Sequence, residues 1–132
     1  MSKDDFANYT YFKSGEFDSP DEPGSGRLMV PEFMRILDEI RGRCGIPFRI
    51  VSGYRTQEHN KKVGGVENSA HTKGLAADIR VVTPDERMLI VSTALKCNIA
   101  RIGISQTFVH LDLDTNKPSG VMWCYAINGT RV

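Results

Sequence analysis

His71, Asp78 and His110 are the residues of this chain whose types and spacing best suit chemistry. Two imidazoles and a carboxylate make up the three protein ligands of a catalytic zinc site, with the fourth position left to water or substrate. They occur in Ser69-Ala-His71-Thr-Lys-Gly74-Leu-Ala76-Ala-Asp78 and later in His110-Leu-Asp112. His71 lies seven residues before Asp78, too far for two ligands on one helical face, and no HExxH occurs. The gap suits one ligand on a loop and the next on the strand that follows. Gly74 permits a tight turn between them. Ser69 can fix the loop through its hydroxyl, and the small Ala76 and Ala77 leave room for a metal and a substrate. On spacing alone a plainer reading competes, with His71 on a surface loop, Asp78 in a salt bridge and His110 half-buried in a strand. His59, the only other histidine, reads as structural or as lining a cleft.

Such a set needs a scaffold, and the pattern of apolar residues supplies one. The first 29 residues read as an irregular arm, with a dense turn signal in Ser19-Pro-Asp-Glu-Pro-Gly24-Ser-Gly26 and with Phe12 and Phe17 as anchors. Pro31 suits the first position of a helix. Phe33, Ile36, Leu37, Ile40 and Cys44 then recur at helical spacing, and Gly45 is placed to end the helix. Phe48–Ser52 reads as a strand. Residues 53–75 form a long, glycine-rich loop with one helical turn near Gln57–Lys62, and loops of this length in a compact domain are usually functional. A second strand, Ala76–Val82, places Ile79 and Val81 on one face and Asp78 and Arg80 on the other. Thr83-Pro-Asp-Glu86 is a capping box that starts a second helix, ending near Lys96 or Cys97. Arg101–Ser105, Thr107–Leu113 and Val121–Ala126 read as three more strands. In Thr107–Leu113, Val109, Leu111 and Leu113 share one face, and Phe108, His110 and Asp112 the other. The expected fold is α+β: one domain over residues 1–132, with a small, mainly antiparallel sheet and two main helices on one face. The site lies under a loop on the opposite face. Trp123 and Tyr125 alternate on the last strand and either line the cleft or join the core.

Composition bounds the partners. The chain has 132 residues, 40% hydrophobic and 25% charged, with a formal net charge of +1. These are ordinary values for a globular domain, one able to bury roughly two-thirds of the surface its unfolded chain exposes. So small a net charge gives no electrostatic argument for a nucleic-acid partner. No apolar run approaches the roughly 20 residues of a membrane span, and the polar, acidic N-terminus does not resemble a secretory signal. Synthesis in a cytoplasm is expected, and a monomer. Cys44, Cys97 and Cys124 show no CxxC pairing and read as reduced, mostly buried thiols.

The motif SxHxxGxAxD with a later histidine resembles the signature of the M15 family of zinc peptidases. These are D-alanyl-D-alanine carboxypeptidases and related peptidoglycan peptidases, many of them phage endolysins. Ser69, His71, Gly74, Ala76 and Asp78 match it. The similarity includes Ser52-Gly-Tyr-Arg55-Thr, Glu58-His-Asn60, Val63-Gly-Gly65 and Phe108-Val-His110-Leu-Asp112, covers residues 10–126 and is nearest to the short, phage- and prophage-associated branch. The resemblance implies one zinc ion held by His71, Asp78 and His110. It makes Arg55 a substrate-binding and catalytic residue that polarises the scissile carbonyl or binds a carboxylate, and Ser69 part of the substrate site. The implied substrate is a peptidoglycan stem peptide, cut at D-Ala-D-Ala or L-Ala-D-Glu. The implied setting is cell-wall lysis after holin-type release or delivery inside a virion. A non-catalytic, zinc-stabilised peptidoglycan-binding module and a phage structural protein are the alternatives.

In one position the pattern departs. Members of this family place a general base two or three residues before the last histidine ligand, where this chain has Phe108 and Thr107. Neither can take a proton. Asp112 is the leading substitute: on a strand it shares the face of His110, about 7 Å along. It could serve as the catalytic base, or accept the free N–H of the ligand histidine and orient it. Glu58, Glu67 and Asp114 are weaker candidates.

Overall fold

The structure is a computed structural model and describes residues 3–127. Three α-helices and a five-stranded sheet form one α+β domain among those residues. Helix α1, Pro31–Cys44, starts on proline at its first turn and stops at Gly45, whose φ of 68° is the left-handed conformation that ends helices. It buries Phe33, Met34, Leu37, Ile40 and Cys44. Helix α3, Pro84–Lys96, begins with the expected capping box. The Thr83 hydroxyl accepts from the Glu86 N–H, and the Glu86 carboxylate accepts from the Thr83 N–H. The short helix α2, Gln57–Lys62, interrupts the long loop, capped by the Thr56 hydroxyl.

The strands are β1 Ile50–Ser52, β2 Ala76–Arg80, β3 Arg101–Ile104, β4 Phe108–Asp112 and β5 Val121–Cys124. Their order in the sheet is β1-β2-β4-β3-β5. Three pairings are antiparallel, and β3 with β5 is parallel. Each strand is shorter than its apolar pattern implied. Phe48 and Val81 lie outside β1 and β2 yet are buried in the core.

Alternation decides the two faces. Ala77, Ile79, Ile102, Val109 and Leu111 point into the apolar core with α1 and α3. On the other face, Asp78, His110, Gly103 and Trp123 stand directly opposite one another across β2, β4, β3 and β5. Gly103 is needed in this row, because a Cβ there would lie 2.6 Å from the Trp123 indole nitrogen.

The N-terminal arm is more ordered than its composition suggested. It holds three 3-10 turns, Lys3–Asn8, Ser14–Phe17 and Ser25–Leu28. Phe12 and Phe17 are buried as expected, with ring centroids 5.4 Å apart. One cysteine departs from expectation. Cys44 is buried and Cys97 half-buried, but Cys124 is exposed, since on β5 it points away from its neighbour Trp123. No described helix is long and apolar enough to cross a membrane.

Candidate metal centre

His71 sits in a 3-10 turn, Ala70–Lys73, that closes over the polar face of the sheet. The Ser69 hydroxyl caps this turn by accepting from the His71 N–H at 3.2 Å. Gly74 ends it at φ 72°, a conformation that glycine adopts without steric cost, and the chain then runs into β2. The loop-then-strand arrangement expected from the spacing of His71 and Asp78 is present. His110 is paired directly with Asp78 in the ladder between β2 and β4. All three residues are buried.

One ligand atom from each of the three lies within 4.8 Å of the others. His71 Nε2 is 3.3 Å from Asp78 Oδ1, and His110 Nδ1 is 2.8 Å from that oxygen. Bonds of about 2.0–2.2 Å to a tetrahedral ion place its ligand atoms roughly 3.4 Å apart. The donor set and its spacing therefore fit a single ion of the zinc type.

The outer nitrogen of each histidine is already engaged. His71 Nδ1 lies 2.7 Å from the carbonyl oxygen of Gly53. A carbonyl can only accept, so Nδ1 carries the hydrogen and Nε2 keeps its lone pair. His110 Nε2 lies 2.7 Å from Asp112 Oδ2 and donates to it, which turns Nδ1 inward. Outer partners of this kind set the tautomer and ring orientation of metal-binding histidines.

Electrostatics follows burial. Burial pulls the His71 pKa below its ordinary value, although Asp78 works against it, so this residue favours the neutral form that a metal requires. Burial also disfavours charge on His110, but the hydrogen bonds to Asp112 and Asp78 outweigh it and raise its pKa. Burial would raise the Asp78 pKa. The two imidazoles against it, His71 foremost, overcome this and hold the carboxyl far below its usual range.

Asp112 is only 2% exposed. Oδ1 accepts from Arg101 Nε at 2.8 Å and from the Asp114 N–H at 3.0 Å, and Oδ2 accepts from His110. Of the two roles open to it in the sequence, this geometry favours orienting His110. Both oxygens are engaged, and its pKa is lowered against burial by His110, the Asp114 N–H and Arg101, which weakens it as a base. Phe108 lines the cleft beside the site and packs on Tyr125, with ring centroids 5.1 Å apart. Glu58, Glu67 and Asp114 are not among the cleft-lining residues.

A cleft of about 490 Å³ opens over the three residues. Arg55 lines it, with Nη2 3.6 Å from Asp78 Oδ2. Ser52 Oγ and Asn60 Oδ1 hold this guanidinium at 3.0 and 3.1 Å. Ser69, Trp123 and Tyr125 also line the cleft, and Trp123 is at the same time buried. His59, on α2, does not line this cleft but lines an adjoining hollow that shares Arg55, Asp78 and Phe108 with it.

Arg101 is the residue that the sequence reading missed. It is 4% exposed, pairs with Asp112 and also donates to the Pro118 carbonyl at 2.6 Å. Its guanidinium lies 5.0 Å from the Trp123 ring centroid. The signal was its place two residues before Gly103 on the polar face, but linking it to Asp112 requires the register of β3 against β4.

The peptidase M15 family model matches residues 3–112, and the chain belongs to that family. The match includes His71, Asp78 and His110 and ends before β5. No curated protein compared with the chain matches it.

Proposed function

We propose that the protein is a zinc-dependent peptidase that hydrolyses an amide bond of peptidoglycan stem peptides, at D-Ala-D-Ala or L-Ala-D-Glu, in phage or prophage cell-wall lysis. The observation that carries this reading is the pair of outer acceptors. Gly53 O and Asp112 each take the outer N–H of one histidine, leaving His71 Nε2 and His110 Nδ1 facing Asp78 Oδ1. When bound there, zinc supplies Lewis acidity for a carbonyl and lowers the pKa of a water.

The protein's own residues have separable tasks. His71, Asp78 and His110 hold the ion, and Asp112 orients His110 through its Nε2–H. Arg55 remains charged, and its forked donors suit a carbonyl oxygen that gains negative charge, or a substrate carboxylate. Ser52 and Asn60 aim this fork, so that little reorganisation is needed when substrate arrives. Ser69 supports the substrate site through the turn it caps, and the aromatic wall of Trp123 and Tyr125 keeps bulk water from one side of the cleft. The protein works as a monomer, after holin-type release or delivery in a virion.

Metal analysis together with digestion of purified sacculi tests this reading. One zinc per chain and new amino groups released from the sacculi are expected, and both should be lost in His71→Ala. A specific observation favours a second reading: Phe108 occupies the usual place of the base, and both Asp112 oxygens are engaged. Under that reading the domain is a zinc-stabilised module that binds stem peptides without cutting them. Stoichiometric zinc and sacculus binding with no amine release would establish it in place of the peptidase.

A further inference from the structure

The N-terminal arm makes its closest backbone contacts at the two loops that bear the site. At the first loop, the Tyr54 N–H donates to the Phe17 carbonyl at 2.9 Å. Gly53 lies so close to Phe17 that a Cβ on it would sit 2.7 Å from Phe17 Cα and 2.8 Å from Phe17 Cβ. Gly53 does not have a positive φ, so what requires glycine here is the approach of the arm. The carbonyl of this same Gly53 accepts from His71 Nδ1. The Arg55 N–H donates to the His71 carbonyl at 3.1 Å, so the 53–55 segment grips His71 by both ring and backbone. At the second loop, a Cβ on Gly74 would run into Leu28 of the arm, and Val30, the residue that follows the arm, donates its N–H to the Gly74 carbonyl at 2.9 Å.

A polar latch ties the arm down further. Ser19 Oγ accepts from the Thr56 N–H at 3.2 Å and donates to Asp21 Oδ1 at 2.5 Å. The Thr56 hydroxyl donates to Asp21 Oδ2 at 2.6 Å. Phe17 itself is fully buried against Phe12 and Phe6. The arm is therefore seated on the core, and the 53–56 segment rests on it.

We propose that the N-terminal arm is a positioning element of the metal centre. Phe17 sets the place of the Gly53 carbonyl, and that carbonyl selects the His71 tautomer whose Nε2 faces Asp78. Phe17 and Gly53 are positioning residues that act on the metal through His71. The part concerning affinity rests on the reading that His71, Asp78 and His110 bind zinc, and the part concerning the tautomer does not.

Two measurements on the full chain test this. The first is the tautomer of His71 in the metal-stripped protein, from the imidazole nitrogen shifts. The wild type should show the Nδ1–H form, and Gly53→Ala should move it towards the Nε2–H form. The second is zinc affinity by chelator competition, where Gly53→Ala should bind about 10–100-fold more weakly, the usual range for loss of a partner behind a metal ligand. Thr83→Ala, at the cap of α3, controls for general destabilisation and should change neither readout. Should Gly53→Ala fail to fold, the Ser19→Ala/Asp21→Asn double variant decides, with a smaller fall in zinc affinity expected. A folded Gly53→Ala, or failing that the double variant, with wild-type tautomer and wild-type zinc affinity overturns the proposal. A wild-type chain that binds no zinc, with a tautomer shift in Gly53→Ala, overturns the zinc reading and leaves the role of the arm in place.

Discussion

Replacing Asp112 with alanine removes the acceptor for three buried donors at once: Arg101 Nε, His110 Nε2 and the Asp114 N–H. Each buried donor left without a partner costs about 1–3 kcal/mol, and breaking a buried ion pair from one side costs about 3–5 kcal/mol. Arg101 keeps the Pro118 carbonyl, so the simple sum is not reached, and we expect a loss of about 3–5 kcal/mol of stability. The effect on the metal is separate. His110 loses the group that fixes its ring, so zinc affinity should fall about 10–100-fold. Asp112→Asn separates this from a role as base. An amide oxygen can still accept from His110 or from Arg101, but it cannot take a proton. If Asp112 orients His110, the asparagine variant should lose part of its zinc affinity, with turnover at saturating zinc largely retained. Urea unfolding of the metal-stripped variants, chelator competition and turnover at saturating zinc measure the three quantities. Wild-type zinc affinity with abolished turnover in Asp112→Asn would refute the orienting role and establish Asp112 as the base.

The remaining expectations concern the cleft and the frame around it. Arg55→Lys keeps the charge but not the fork held by Ser52 and Asn60; kcat/KM on a stem peptide should fall about 10²–10³-fold, the cost of one lost donor to a developing oxyanion, with zinc content unchanged. Phe33→Ala, at a fully buried position of α1, should cost about 3–5 kcal/mol in urea unfolding. Thr83→Ala should cost about 1 kcal/mol through loss of the cap of α3. Burial would raise the Asp114 pKa, but the hydrogen bond from Lys73 at 2.9 Å holds it below the ordinary value. A depressed carboxyl adds stability above its unfolded pKa of about 3.9, and that contribution is lost as pH falls through the lower folded value. Urea midpoints of wild type and Asp114→Asn should accordingly differ at pH 6 and converge in strong acid.

Much of the site was legible in the residues alone. His71, Asp78 and His110 are distinctive in type, and a gap of seven residues already separates a candidate ligand on a loop from one on a strand. Alternation in Phe108–Asp112 put His110 and Asp112 on one face because a strand has a period of two. The helices were equally plain: Pro31, Gly45 and the capping box at Thr83 are local signals, decided within a few residues of themselves. Strand ends were overestimated at Phe48 and Val81, because burial in the core makes a residue apolar whether or not it joins the ladder.

Long-range partners were not legible. Arg101 carries no motif, and only the register of β3 on β4 brings it to Asp112. The exposure of Cys124 depends on which face of β5 meets the cleft. The arm reads as loop because its turns are short and its composition polar, yet its packing against Gly53 and Gly74 places it behind the turn that carries His71. Residue types and local spacing determine which groups can do chemistry and which elements carry them, because those signals are set by neighbours in the chain. Which nitrogen of each histidine faces Asp78, and whether Asp112 meets a water or a guanidinium, is decided only by tertiary structure. Those contacts join residues that approach each other only once the arm, the loop and the sheet have packed together.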